Sequence, residues 1–278
     1  MRKAFLLSFV FLTILIPLNS NAAVILDLSV PSVNQNGYIN GAFFQWTDIQ
    51  STGTGKINPF VQLEDNTANG LVIEGYNTTA SNTFDNKNND SYNHQISLSS
   101  IPIVTLNNID YREFLLDINQ NNSGDNGYLS VDEIQIFLSI LDDPNQSVES
   151  FDAFGELNII GDLVYRLDIK TQAADTDIDN FIKLDESIQP GSGKGDMFAY
   201  IPDQLFLNLL NQGMTNDQVY LYSRFGENFS NHGGFVEWGF RPAAIDTVTN
   251  NSVPEPATML LFASGLAGAF LKRKKRLV

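Results

Sequence analysis

Short apolar segments that alternate with polar positions, or are rich in β-branched and aromatic residues, recur along the chain between clusters of Gly, Asn, Ser and Asp. They fall at 24–28, 42–46, 59–63, 70–74, 94–98, 113–118, 133–140, 163–169, 181–184, 197–201, 218–222 and 234–240. Loops such as Ser51-Thr52-Gly53-Thr54-Gly55 and the stretch 119–127 separate them. About a dozen strands at this spacing predict a mainly all-β fold, an antiparallel β-sandwich of jelly-roll-like type. In the last segment Val236, Trp238 and Phe240 take one side of the strand and Phe235, Glu237 and Gly239 the other, which assigns the first three to the core. One short helix is predicted over 202–212, where Leu205, Phe206, Leu209 and Leu210 share a face, Pro202 marks the start and Gly213 the end.

Two apolar runs break this pattern, one at each end. Arg2 and Lys3 precede an apolar run from Ala4 to Leu18, and Ser20-Asn21-Ala22 then places small residues where a signal peptidase reads them. Residues 1–22 therefore read as a signal peptide cut after Ala22, with Ala23 an acceptable alternative. At the other end, Val253-Pro254-Glu255-Pro256 is followed by the apolar stretch 257–271 and the basic cluster 272–276. Proline cannot continue a helix backwards, so a membrane helix is expected to begin near Ala257. Fifteen residues at about 1.5 Å each reach roughly 22 Å, short of a hydrocarbon core of about 30 Å, so the span is marginal. The basic end 272–278 holds the terminus in the cytoplasm and places what precedes Pro254 outside. Between the ends, residues 23–250 are read as one extracellular β-sandwich domain.

The order VPEP, short apolar helix, basic cluster resembles the PEP-CTERM sorting signal, with Val253, Pro254, Glu255 and Pro256 as the motif and 251–278 as the tail. The resemblance implies an exosortase as processing partner, a membrane peptidase-transpeptidase that removes the tail and releases or attaches the mature protein. Short stretches of the body are also similar to a subgroup of such proteins: Trp46-Thr47 before STGTG, EGYNT at 74–78, LLDINQ through LSVDEIQIF, FIKLD, GSGKGDMFAYIP at 191–202, and GGFVEWG. That subgroup is defined by export and sorting, not by a chemistry.

Charge narrows the partners. Without the terminal segments nine basic residues face 31 acidic ones, leaving the body about 22 charges negative. Nucleic acid is excluded as a partner, since no basic stripe is present to neutralise phosphates. The absence of cysteine removes disulfides, thiolate metal sites and a cysteine nucleophile.

An acidic surface favours divalent cations, and Ca2+ is the one cofactor the residues suggest. Asp117, Asn119 and Asp125, with Asp132 or Glu133, can supply the oxygens of an irregular calcium loop, although the spacing breaks the twelve-residue rule and a polar hairpin between two strands is the favoured reading. Asp175, Asp177, Asp179 and Glu186 do keep that spacing, with Asn180 replacing the usual glycine, but strand-like flanks oppose an EF-hand there. His94 and His232 lack partners at metal-ligand spacing, and GTGK at 53–56 and GSGKG at 191–195 lack the order of a phosphate loop. Glu74, Glu227 and Glu237 would make a glycosidase only if the fold set two of them about 5 to 10 Å apart. The expectation is thus a non-enzymatic exported protein, an inner-membrane-anchored precursor that ends in the envelope or outside the cell. Its expected role is structural or interactive, at the cell surface or in the exopolysaccharide matrix. A carbohydrate-binding module for exopolysaccharide is the alternative.

Overall fold

The computed structural model describes residues 22–30, 35–47, 57–65, 71–121, 124–139, 147–159, 161–170, 177–188, 190, 195–213 and 217–241. The chain divides into two units at Phe240 and Arg241, and apart from Arg241 the described residues belong to the first. In chain order the strands are β1 (Ile25–Asp27), β2 (Asn36–Ile39), β3 (Ala42–Trp46), β4 (Asn58–Glu64), β5 (Ile73–Tyr76), β6 (Ile96–Ser97), β7 (Ile103–Leu106), β8 (Ile109–Ile118), β9 (Tyr128–Ser139), β10 (Asp162–Arg166), β11 (Phe181–Asp185), β12 (Met197–Pro202), β13 (Gln218–Phe225) and β14 (Phe235–Phe240). Among the described residues the single α-helix, α1 (Asp203–Leu210), follows β12 directly.

The strands form two open sheets. The first runs β1-β11-β9-β13-β5, with β10 beside β9 and β6 beside β13; the second runs β2-β3-β12-β8-β14-β4, with β7 beside β8. Both contribute to one core: Leu129, Ile134, Ile136, Val219 and Leu221 come from the first, and Phe44, Phe114, Leu116, Val236 and Trp238 from the second. Trp238 Nε1 donates across the core to Ser223 Oγ at 3.0 Å. Val236 and Trp238 are fully buried, as the alternation requires, and Phe240 packs partly buried against the same core.

Every segment expected to be extended contributes to a strand, and α1 lies inside the expected helix. Two strands were not foreseen, β2 and β7, and both are partners in tight hairpins. Asn107 and Asn108 turn β7 into β8 with φ of 52° and 65°, and Asn40-Gly41 turns β2 into β3 with 48° and 85°. Asparagine and glycine tolerate this left-handed region, which matches the twist of a two-residue hairpin. Among the described residues, pairing is antiparallel with one exception that corrects the sequence expectation. β1 pairs parallel to β11, Ile25 opposite Phe181 and Asp27 opposite Lys183. A three-residue edge strand that no hairpin joins to β11 is free in its direction.

Inside this frame α1 is tethered by a buried cation. Arg112 of β8 donates to Asp203 Oδ1 at 2.6 Å, and its Nη1 serves the carbonyls of Leu98 and Ile101 at 2.7 and 3.0 Å. These bonds offset the desolvation of the guanidinium and join the helix start to the second sheet.

Among the described residues no helix is long and apolar enough to cross a membrane. The expected signal peptide falls on 1–22, of which 1–21 lie outside the described residues. The expected membrane helix 257–271 and the motif Val253 to Pro256 also lie outside them.

Candidate functional site

The outer face of the first sheet carries a row of alternating charge. Arg224 on β13 stands opposite Glu74 on β5 and opposite Glu133 on β9, and Arg166 on β10 closes on Glu133 from the far side. Arg166 Nε and Nη2 donate to Glu133 Oε2 at 2.9 and 2.8 Å. Beside this row, the Tyr222 hydroxyl donates to Glu74. Burial, and then the Glu74 charge, push the Tyr222 phenol far above its usual range.

A β-bulge makes the row possible. Arg224 registers with Glu133 but Phe225 with Val131, so Asp132 is an extra residue on β9. Leu129 and Val131 face the core before the bulge and Ile134, Ile136 and Leu138 after it, so the two adjacent acids Asp132 and Glu133 both leave the core side. The apolar spacing in Leu129-Ser-Val131-Asp-Glu-Ile134-Gln-Ile136 shifts phase at the same place. That shift was the signal in the sequence.

The segment 147–159 roofs this face. Leu157 and Ile159 pack on Tyr76, Phe137, Tyr220 and Tyr222 in a second apolar cluster. Phe154 and Gly155 offer their carbonyls to Arg166 at 2.7 and 3.0 Å, and Gly155 also accepts from Gln135 Nε2 at 2.7 Å. Under the roof lies a cavity of about 240 Å3, lined by Glu133, Arg166, Lys170, Arg224, Phe151 and Tyr222, with Gln135 and Gly155 completing it. None of the sequence arguments pointed to Lys170, Arg166 or Phe151 as site residues.

At the edge of this cavity Lys170 ion-pairs with Asp168, whose carboxyl is pushed up to about 7, first by burial and then by Glu133. Asp179 adds to the rise, while the Asn180 N–H and Lys170 oppose it. A carboxyl whose folded pKa lies above its unfolded value near 3.8 binds more protons folded than unfolded. Its contribution to stability therefore falls as pH climbs from about 4 through 7. Asp168→Asn keeps the acceptor for Asn180 and removes the charge. It is expected to raise the melting temperature at pH 8 and leave it nearly unchanged at pH 4; an equal gain at both values would contradict this account.

The five residues weighed for calcium do not converge. Asp117 on β8 belongs to the second sheet, where its Oδ1 accepts from Gly195 N at 3.1 Å beside the buried Asp196. Burial, and then Asp117, raise the Asp196 carboxyl well above its usual range. Asn119 follows β8 and donates its N–H to Phe235 O at 2.9 Å. Asp125 lies in a 3-10 turn beside a separate open cavity with Tyr128, Phe229 and His232. Asp132 holds the loop after β13, accepting from Glu227 N, Asn228 N and Asn228 Nδ2 at 2.7, 3.3 and 2.8 Å and from Ser130 Oγ at 2.9 Å. Glu133 is committed to Arg166. Among the described residues no three acidic or histidine side chains are placed to hold a metal ion.

The EF-hand-like spacing meets a similar end. Its centre runs into β11, and Asn180, in the place of the usual glycine, ties strands together: it accepts from Val24 N and donates to Leu167 O, both at 2.7 Å. Asp175 lies outside the described residues. Of the three glutamates considered for hydrolysis, Glu74 holds Tyr222 and Glu227 pairs with Arg224 at 2.9 Å. Glu237 lies on the second sheet, bonded to Gln62.

Neither the curated proteins nor the solved structures gave a match to this chain. Residues 252–276 match the family described as the PEP-CTERM protein-sorting motif. That range takes in Val253-Pro254-Glu255-Pro256, the apolar stretch and the basic cluster. The chain therefore carries a PEP-CTERM sorting tail, the mark of an exported protein whose membrane-anchored precursor is processed by an exosortase.

Proposed function

We propose that the β-rich body serves a structural or interaction role at the cell surface or in the exopolysaccharide matrix, delivered there by exosortase sorting. The sorting tail at 252–276 carries this reading. A body about 22 charges negative suits it, since such a surface stays soluble and is repelled by anionic lipid. Signal peptidase would act at the amino-terminal end and the exosortase at Pro254-Glu255-Pro256, leaving the sheets as the mature protein.

Replacing Pro254, Glu255 and Pro256 together by alanine is expected to leave the full-length precursor in the membrane fraction. Immunoblots of membrane, envelope and medium fractions measure this, and unchanged release would overturn the sorting assignment. The alternative, a carbohydrate-binding module, is favoured by one observation: the roofed cavity on the first sheet sets aromatic rings beside charged hydrogen-bonding groups.

A further inference from the structure

The hydrogen-bonding capacity still unspent in the cavity of the first sheet is of one kind. Glu133 is satisfied, its Oε1 by Ile134 N and Asp168 N and its Oε2 by Arg166. Gln135 is spent on Gly155 and Leu157, and Arg166 on Glu133 and two carbonyls. The Tyr222 hydroxyl serves Glu74. Donors are left over. Lys170 Nζ stands 3.6 Å from Asp168 and 3.7 Å from Asp177, ion-pair distances too long for a hydrogen bond. The buried Arg224 Nε–H meets no acceptor among the described residues, while Nη2 of the same side chain reaches Glu227.

Charge points the same way. Among the residues that line the cavity, the three cations Arg166, Lys170 and Arg224 face the one carboxylate Glu133. Asp168 and Asp177, which pair with Lys170, and Glu227, which pairs with Arg224, are not part of the lining. The three cations are three of only nine basic residues between the terminal segments of a chain with net charge −16. A ligand that completes this cavity brings acceptors for these cationic donors. It also meets rings, since Phe151 and Tyr222 stand edge to face with centroids 5.4 Å apart.

We propose that this cavity binds one carboxylated sugar unit, a uronate of an acidic polysaccharide, its carboxylate held by Lys170 and Arg224 and its ring lying against Phe151 and Tyr222. Charge-assisted bonds from an ammonium and a guanidinium are strong and select carboxylate over hydroxyl. The volume, about 240 Å3, suits a single ring, so a terminal or branching unit is recognised rather than a run of the chain. An acidic peptide would present the same charge but leave the aromatic walls uncovered. The inference rests on the surface placement proposed above for where such a glycan is met. Its test uses purified protein, so a failure here and a failure of sorting are read separately.

The full chain in mild detergent is titrated calorimetrically with trigalacturonate, with its methyl ester, which keeps the rings and loses the charge, and with a tetra-aspartate peptide. Binding of trigalacturonate is expected, with at least roughly tenfold weaker binding of both the ester and the peptide. Lys170→Gln and Arg224→Gln alter side chains that are 27% and 32% exposed, so both variants should fold, as an unchanged melting temperature would verify. Each is expected to weaken trigalacturonate binding by roughly tenfold. Absence of heat with trigalacturonate, equal affinity for the ester or the peptide, or undiminished affinity in both variants overturns the proposal.

Discussion

Replacing Trp238 by alanine is expected to cost about 4 kcal/mol of stability and lower the melting temperature by roughly 10 °C. The indole is fully buried between the two sheets, so truncation removes its contacts with both and leaves a cavity that close-packed neighbours fill only in part. It also orphans the Ser223 hydroxyl on the facing sheet, which loses its donor. Trp238→Phe separates the two effects. The phenyl ring keeps most of the apolar area but cannot donate, so a loss of about 1–2 kcal/mol is expected. Urea denaturation of the three proteins measures both steps. A phenylalanine variant as unstable as the alanine one would assign the effect to the hydrogen bond instead of the packing.

The second large effect is expected at Asp132, which the sequence put forward as a calcium ligand. In the fold its carboxylate is fully buried and collects two backbone N–H groups and an amide from the loop after β13, together with the Ser130 hydroxyl. Asp132→Ala strands these donors at once, and each buried donor left without a partner costs about 1–3 kcal/mol. A total loss of about 3 kcal/mol is expected, since part of the loop can turn to water. Asp132→Asn keeps one acceptor oxygen and should recover about half of it. Denaturation with excess calcium and with a chelator separates the loop-holding role from a metal-holding one. A loss that appears only when calcium is present would restore the metal reading.

Local rules were enough where a residue's role is settled by its own strand. Alternation in Val236-Glu237-Trp238 placed the core side correctly, and Leu205, Phe206, Leu209 and Leu210 located α1, because burial of one face acts along the element itself. Strands β2 and β7 escaped because they are four residues long and carry exposed positions, and each is held by the hairpin that Asn40-Gly41 or Asn107-Asn108 makes. Their stability lies in the partner strand, which no local pattern reports.

The cavity was less legible still. Glu133 and Arg224 are far apart in sequence and meet because β9 and β13 pair in a register set by the bulge at Asp132. Phe151 and Gly155 join them only through a loop that folds back over the sheet. The acidic clusters illustrate the converse. Asp117, Asp125 and Asp132 look like a ligand set along the chain, yet β8 and β9 belong to opposite sheets, so a spacing that suits a loop is divided between two layers.

The sequence by itself determined the sorting by exosortase, the β-rich class and the core side of the better strands. A sorting tail is read by an enzyme as a linear address, and hydrophobic alternation is a property of one strand, so both are complete in one dimension. Tertiary structure alone decided which charges meet, which carboxylates are filled by backbone donors and which cations stand beside an aromatic wall. Strand register and the closing of a loop over a sheet bring together residues from four separate segments, and long-range pairing of that kind is written in no local pattern.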